Sequence, residues 1–340
     1  MPHIKRLRRS STSYLTVFLC VLLLWSSCNQ KPQSNDAPTN SGESIIRTSV
    51  QSDQPYLVVL GVAQDAGYPQ INCQKACCKR VHDAPHLGRK VTCLALVDPP
   101  SGKRWLFEAT PDIREQITTL DEVSGTSSPA PVDGIFLTHA HMGHYTGLMH
   151  LGREAMNAQQ VPVYAMPRMR TYLSENGPWR QLVDLGNIAL SPLKADSTIS
   201  LTPDFRVTPL QVPHRDEFSE TVGYRLEGPK KTVLFIPDID KWERWDRDIK
   251  QLIAEVDVAL LDGTFYANGE IPGRDMSEIP HPFMEESMAR FASLPDSLRE
   301  RIYFIHFNHT NPVLEAGGRA EKEVHEAGFH VALELNMFEL

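Results

Sequence analysis

The sequence has no surplus of positive charge, no internal repeat and no apolar run long enough to cross a membrane comfortably. Its 34 Lys and Arg residues stand against 42 Asp and Glu residues, which gives a net charge of −8. Because binding to nucleic-acid phosphates needs a basic surface, this balance argues against a nucleic-acid partner. Histidine, by contrast, is frequent at 13 residues, and several of these are clustered. The pattern directs attention to metal chemistry.

The first 28 residues have the pattern of a bacterial export signal. Four basic residues between Lys5 and Arg9 precede an apolar run over residues 14–25. This run is short for a membrane span and typical of a signal-peptide core. It ends in Ser26-Ser27-Cys28, which resembles a lipobox, so we expect a membrane-anchored lipoprotein on the periplasmic side of the cell envelope. An uncleaved N-terminal anchor is the alternative.

Replacing Cys28 with alanine should release the protein from the membrane fraction, because the lipid would be attached to that thiol. Cell fractionation with immunoblotting measures the change. A variant that stays with the membrane would exclude the lipid anchor.

Residues 29–54 are rich in Asn, Ser, Pro and Gln and predict a disordered tether. The remaining residues, 55–340, are sufficient for one large domain with a sizeable core. Short β-rich runs alternate irregularly with helical patterns, which favours sheets packed between helical layers. The predicted strands are 56–62, 91–97, 104–108, 134–138, 162–165, 205–212, 222–226, 232–236, 256–261, 302–305 and 330–335. The predicted helices are 113–120, 145–156, 167–174, 244–253, 283–291 and 320–326.

The strongest chemical signal is the segment from His139 to His144, which has His139, His141 and His144 directly after an apolar strand. Imidazoles this close together can converge on one ion, and neutral imidazole suits Zn, Fe, Mn or Cu. Further candidate ligands also follow predicted strands: His214, Asp238 and His306. Because these sites are all at carboxyl ends of strands, they predict a metal centre at one edge of the sheets.

The pattern of an HxHxDH motif, a lone His, an Asp and a final His resembles the metallo-β-lactamase superfamily. The resemblance implies an α/β fold, an αββα sandwich of two mixed β-sheets between helical layers. It also implies two neighbouring metal positions that share the carboxylate of Asp238. By resemblance, His139, His141 and His214 bind the first metal, and His144 and His306 bind the second.

Two residues depart from that pattern. The motif's Asp, a ligand of the second metal, is Gly143 here, so we expect the second position to lose a ligand and to bind more weakly, with Asp240 or Asp216 as the most plausible substitutes. Glu108 stands where the superfamily has an Asp that braces the His segment, and Glu can do this with a longer reach.

A closer resemblance is to the coenzyme pyrroloquinoline quinone synthesis protein B family. The segments of this sequence that carry the resemblance are VLG (59–61), GYPQ (67–70), ATPDIREQ (109–116), VPHRDE (212–217), IPDIDKW (236–242), LDGTFY (261–266) and HFNHTNP (306–312). The resemblance implies a metal centre and a role in oxidising a tyrosine-derived precursor. Because assembly of that cofactor is cytoplasmic and this chain has an export signal, we expect a relative that does not make the cofactor.

The second chemical feature is the cysteine group Cys73, Cys77 and Cys78. In an exported protein, a disulfide between Cys73 and Cys78 is one interpretation, and a structural tetrahedral Zn site is the other. The resemblance to the quinone-synthesis family favours Zn, with His309 as the fourth ligand. Cys93 lies within a predicted strand and is expected to be a core residue.

The sequence leaves several roles open. Asp238, Asp240 and Asp216 are the candidate catalytic carboxylates, the last two as proton shuttles or as supports for the ligands beside them, and His281 could line the pocket. We expect a hydrolase that acts on a small-molecule ester, phosphodiester or lactone, with one or two active-site metals, Zn by preference and Fe, Mn or Cu as alternatives. A metal-dependent oxidase or oxygenase and a non-catalytic metal-binding lipoprotein are the other hypotheses.

Overall fold

The computed structural model describes residues 53–125 and 130–340. The expected export signal, Cys28 and nearly all of the expected tether lie outside the described residues. Among the residues described, no helix is both long and apolar enough to span a bilayer.

The described chain forms fourteen strands and nine α-helices. The strands are β1 Tyr56–Gly61, β2 Cys93–Asp98, β3 Lys103–Phe107, β4 Gly134–Phe136, β5 Val161–Ala165, β6 Ile188–Pro192, β7 Ile199–Ser200, β8 Arg206–Gln211, β9 Val222–Glu227, β10 Thr232–Ile236, β11 Val258–Asp262, β12 Ile302–Ile305, β13 His330–Val331 and β14 Met337–Glu339. The helices are α1 Ala76–Asp83, α2 Ile113–Ser124, α3 Met142–Tyr145, α4 Pro167–Glu175, α5 Trp179–Asp184, α6 Ile249–Ala254, α7 Met284–Phe291, α8 Asp296–Arg299 and α9 Arg319–Glu326.

Two mixed seven-stranded sheets form the centre of the fold. Their strand orders are β14-β1-β2-β3-β4-β5-β6 and β13-β12-β11-β10-β9-β8-β7. Alternate residues of β1 enter different cores: Leu57 and Val59 face the second sheet, whereas Val58 and Leu60 belong to the cluster packed with α2 and α4. On the second sheet, α6, α7 and α9 cover the outer face. The expected αββα sandwich is thus confirmed.

The prediction of a helix over residues 145–156 is wrong for most of that range. The α-helix ends at Tyr145, and a 3₁₀ helix follows over Thr146–Leu151. The backbone here approaches Ala109 and Thr110 too closely for a continuous helix: the Gly147 amide donates to the Ala109 carbonyl at 2.9 Å, and a Cβ on Gly147 would lie 2.1 Å from the Thr110 oxygen.

Strand direction brings the candidate site together. The strands β3 to β6 run parallel to one another in the first sheet, as do β10 to β13 in the second. β1 lies antiparallel to β2, which lies antiparallel to β3, so β1 has the same direction as β3 and β4. β8 lies antiparallel to β9, which lies antiparallel to β10, so β8 has the same direction as β10. The segments that follow β1, β3, β4, β8, β10 and β12 therefore meet at one edge of the sandwich.

Candidate metal centre

The first metal position is formed by His139, His141, His214 and Asp238, one potential ligand atom from each lying within 4.8 Å of all the others. Nε2 of His139 lies 2.8 Å from Nδ1 of His141 and 3.4 Å from Oδ2 of Asp238. Nε2 of His214 lies 3.3 Å from Oδ1 of the same carboxylate. The structure thus brings these four predicted residues together.

The second metal position contains His144, His306, Asp238 and a carboxylate that the sequence analysis missed, Asp65. Nε2 of His144 lies 3.0 Å from Oδ1 of Asp65 and 3.5 Å from Oδ2 of Asp238. Nε2 of His306 lies 3.7 and 3.9 Å from the same two oxygens. We expected this position to lose its fourth ligand at Gly143, and the sequence analysis did not anticipate that the segment after β1 brings the carboxylate of Asp65 into the gap beside Gly143. Neither Asp240 nor Asp216 belongs to this group of four.

Neighbouring oxygen atoms fix the orientation of four imidazoles. Nδ1 of His139 pairs with Thr138 Oγ1 at 2.8 Å, and Nδ1 of His306 pairs with Thr264 Oγ1 at 3.0 Å. Carboxylates face the other two rings: Oδ1 of Asp240 pairs with Nδ1 of His214 at 3.3 Å, and Oε1 of Glu108 lies 3.3 Å from Nδ1 of His144, at ion-pair distance but without hydrogen-bond geometry. Since Nδ1 of each ring faces an oxygen, Nε2 remains for the centre, as in protein metal sites generally.

Several buried atoms of the centre lack a hydrogen-bond partner. They include Oδ1 of Asp65, Oδ1 of Asp238 and the Nε2 atoms of His141, His144, His214 and His306. Unpaired buried carboxylate and imidazole atoms cost free energy unless a cation or proton satisfies them. The chemistry of these donors, nitrogen and oxygen within one small space, fits a divalent metal at each position.

Burial favours the neutral form of two rings at the first position, His139 and His141. Burial lowers the pKa of His139 well below its usual value, and the neighbouring His144 adds to the effect. Burial likewise lowers the pKa of His141, to about 4. Because a metal binds the unprotonated ring, both imidazoles are ready as ligands at neutral pH without losing a proton.

Glu108 supports the His segment, as the sequence suggested. This fully buried residue follows β3 with a φ of 90°, a left-handed conformation that is uncommon for residues other than glycine. Besides facing His144, its carboxylate accepts from the amide of Thr138 at 3.4 Å. Strain of this kind persists where the surrounding structure holds it, and here it orients a ligand.

The two further candidate carboxylates differ in position. Asp240 lies between His214 and Arg244, whose Nη1 donates to it at 2.8 Å, so it orients a ligand and is neutralised on its other side. Asp216 forms an exposed ion pair with Arg168, at 3.3 Å. It lines a cavity of 550 Å³ that also reaches His214 and Arg244, and the structure does not place it among the metal-ligand groups.

His281 supports the shared carboxylate from outside the two positions. Its Nδ1 lies 2.8 Å from Oδ2 of Asp262 and 3.2 Å from Oδ1 of Asp238. Burial alone would lower the pKa of His281, but the carboxylates of Asp262 and Asp238 outweigh it and raise the pKa to about 9. Asp262 was not a candidate; its position as the last residue of β11, at the same edge, is the signal that could have found it.

The cysteine cluster, which we define as Cys73, Cys77, Cys78 and His309, also converges, with one potential ligand atom from each residue within 4.8 Å of the others. The sulfur atoms of Cys73 and Cys77 are 4.0 Å apart, as are those of Cys77 and Cys78. A disulfide needs about 2.05 Å, and none of the four cysteines described forms one. Tetrahedral Zn with bonds of about 2.3 Å would hold two sulfurs roughly 3.8 Å apart, close to the observed spacing. Cys93 is a buried core residue, as expected.

Comparison with known proteins agrees with this geometry. Residues 103–307 match the model of the beta-lactamase superfamily domain. Coenzyme PQQ synthesis protein B of Methylorubrum extorquens (strain PA1) is 28% identical over 302 residues, which covers 82% of this chain and 97% of that protein.

Solved structures give the same result. Zn(2+)-bound PqqB from Methylobacterium extorquens superposes with a TM-score of 0.70 and 25% identity, over 84% of this chain and 100% of that chain. A diphosphatase from the PhnP family shares the fold, with a TM-score of 0.58 and 21% identity over 84% of this chain and 97% of that chain.

Proposed function

Since the chain belongs to the beta-lactamase superfamily, we propose that it is a metal-dependent hydrolase whose substrate is a small ester, phosphodiester or lactone. When bound, metal ions at such a centre lower the pKa of a coordinated water toward neutrality and polarise the bond to be cleaved. The remaining tasks, holding the ions and orienting the ligands, fall to the side chains of this chain.

The observation that carries the proposal is the division of one carboxylate between two ligand sets. Oδ1 of Asp238 faces His214, while Oδ2 faces both His139 and His144. A carboxylate in this position would serve as a ligand to ions at both positions, which would supply charge stabilisation for a displacement reaction. The oxygen atoms that face Nδ1 of these imidazoles keep this arrangement fixed before substrate arrives.

The sequence similarity to coenzyme PQQ synthesis protein B favours a second candidate, an oxidation at the same centre. The two candidates differ in the metal they need. Zn has no redox chemistry and supports hydrolysis, whereas Fe or Cu supports electron transfer. Elemental analysis of protein purified without added ions separates them: Zn at the histidine positions supports the hydrolase, and Fe or Cu there supports the oxidase.

Replacing His144 with alanine should abolish hydrolysis. The ring is a ligand of the second position, and loss of even a supporting group at a metal site costs about 10–100-fold in metal affinity or activity. The measurement is release of 4-nitrophenol from bis(4-nitrophenyl) phosphate and 4-nitrophenyl butyrate, with ring opening of a simple lactone followed separately. Removal of metal with a chelator should have the same effect, reversed by Zn.

His150→Ala is the matched control. It lies six residues further along the chain, in the 3₁₀ helix Thr146–Leu151, and lines a separate cavity of 310 Å³ with Ile113 and Met156, so its replacement should retain full activity. Absence of turnover on every substrate class by the metal-loaded native protein, or activity unaffected by His144→Ala, would contradict the proposed hydrolase.

A further inference from the structure

Gly143 is the one residue of the His segment at which a side chain cannot be accommodated. A Cβ added to it would lie 2.3 Å from the Cα of Asp65 and 2.5 Å from its Oδ1. Since the nearest atom is backbone, rotation of a side chain does not relieve the clash. Any residue with a Cβ at position 143 therefore conflicts with the backbone that carries Asp65, and only glycine leaves room for it.

Asp65 has the surroundings of a metal ligand. Its Oδ1 is buried and unpaired by hydrogen bonds, although a third of the side chain remains exposed. It faces the Nε2 atoms of His144 and His306, both of which also lack a hydrogen-bond partner. A carboxylate oxygen aimed at two buried imidazole nitrogens is an arrangement that a shared cation would satisfy.

The backbone fixes Asp65 beside His306. The amide of Gln64, the residue before Asp65, donates to the carbonyl of Phe307, the residue after His306, at 2.8 Å. The amide of Phe307 in turn donates to the carbonyl of Val62, also at 2.8 Å. The segment after β1 and the segment after β12 are thus connected in both directions, so the ligand is positioned by main-chain hydrogen bonds.

We propose that Asp65 is the carboxylate ligand of the second metal position, and that Gly143 is the matching change that gives it room. The inference rests on the proposed metal binding of the histidine cluster and does not depend on the reaction. The ligand has moved from the His segment to the segment after β1, and the second position keeps three side chains of its own in addition to the shared Asp238.

The test is metal binding by the full-length protein, measured by calorimetric titration and elemental analysis. Asp65→Asn should lower bound metal by one equivalent, or weaken one binding step by at least about 10–100-fold, and leave the first position unchanged. Asp184→Asn, which removes the same charge from an exposed ion pair with Arg180, should bind metal like the native protein. Unchanged stoichiometry and affinity in Asp65→Asn would overturn the proposal.

Exchange of the two residues gives the sharper result. Gly143→Asp alone should not tighten the second metal and should weaken it, because the new side chain collides with Asp65. Asp65→Gly should lose this metal, and Asp65→Gly combined with Gly143→Asp should not regain it, since a Cβ at position 143 would still lie 2.3 Å from the Cα of residue 65. A tighter second metal in Gly143→Asp alone, or recovery of the metal in the double variant, would contradict the proposal.

These readouts separate the ligand from the reaction. Loss of one metal in Asp65→Asn without any turnover by the native protein would support the ligand and exclude the hydrolase. Turnover by the native protein, together with retention of both metals in Asp65→Asn, would support the hydrolase and exclude Asp65 as a ligand.

Discussion

Replacing Asp238 with asparagine is expected to empty both metal positions at once. Its two oxygens face different imidazoles, so the shared carboxylate is the one side chain on which both ligand sets depend. The amide keeps the size of the side chain but supplies no negative charge to offset two divalent ions. We expect affinity at each position to fall by at least about 100-fold and hydrolysis to be lost, a larger effect than removal of any single imidazole.

Elemental analysis after gel filtration measures this effect, with Asp184→Asn as the control for loss of a surface carboxylate. Asp240→Asn should be intermediate, since Asp240 contacts only His214 among the ligands. Retention of one tight ion in Asp238→Asn would show that the two positions do not share this carboxylate.

Removing a ligand of the cysteine cluster is expected to have the largest effect on stability. Cys73→Ser, Cys78→Ser or His309→Ala should each lower bound Zn by about one equivalent, because a structural site closes only with all its ligands. Burial raises the pKa of the Cys78 thiol to about 12, so a cation is needed to keep it as a thiolate. An ion whose free concentration is 1,000 times its Kd stabilises the native state by about 4 kcal/mol. Loss of that ion should therefore lower Tm by roughly 10 °C.

Thermal unfolding of the variants, with Zn content measured on the same samples, checks this prediction. His86→Ala is the matched control, since this exposed histidine of the neighbouring segment contacts none of the cluster. Mass spectrometry that found Cys73 and Cys78 joined by a disulfide in the native protein would exclude the metal.

Much of the site could be predicted from sequence because its ligands follow apolar strands. The strand before His139 and the strand before His306 are short, strongly apolar and bounded by polar residues, so both their ends and the direction of the next side chain can be predicted. The superfamily resemblance then supplied the sandwich, which the structure and the family match confirm.

What the sequence did not predict depends on contacts between distant segments. Asp65 lies in a polar stretch, Gln64-Asp65-Ala66, that is typical of any surface turn, and only the tertiary fold brings it 3.0 Å from His144. The strands β6, β7 and β14 were missed for a similar reason: they are edge strands with mixed polarity, whose pairing is decided by their neighbours. In both cases the local sequence pattern does not determine which distant residues the segment contacts.

The cysteine cluster shares its supporting segments with the histidine centre. His309 lies three residues after His306, and the chain that carries Asp65 continues through Tyr68, whose hydroxyl donates to the carbonyl of Cys77 at 2.8 Å. An ion bound in the cysteine cluster would therefore restrain both segments that deliver ligands to the second position. Where that restraint favours the second ion, reciprocity requires the second ion to favour the first to the same extent. The Zn content of the cysteine cluster and the metal affinity of the histidine centre would then vary together.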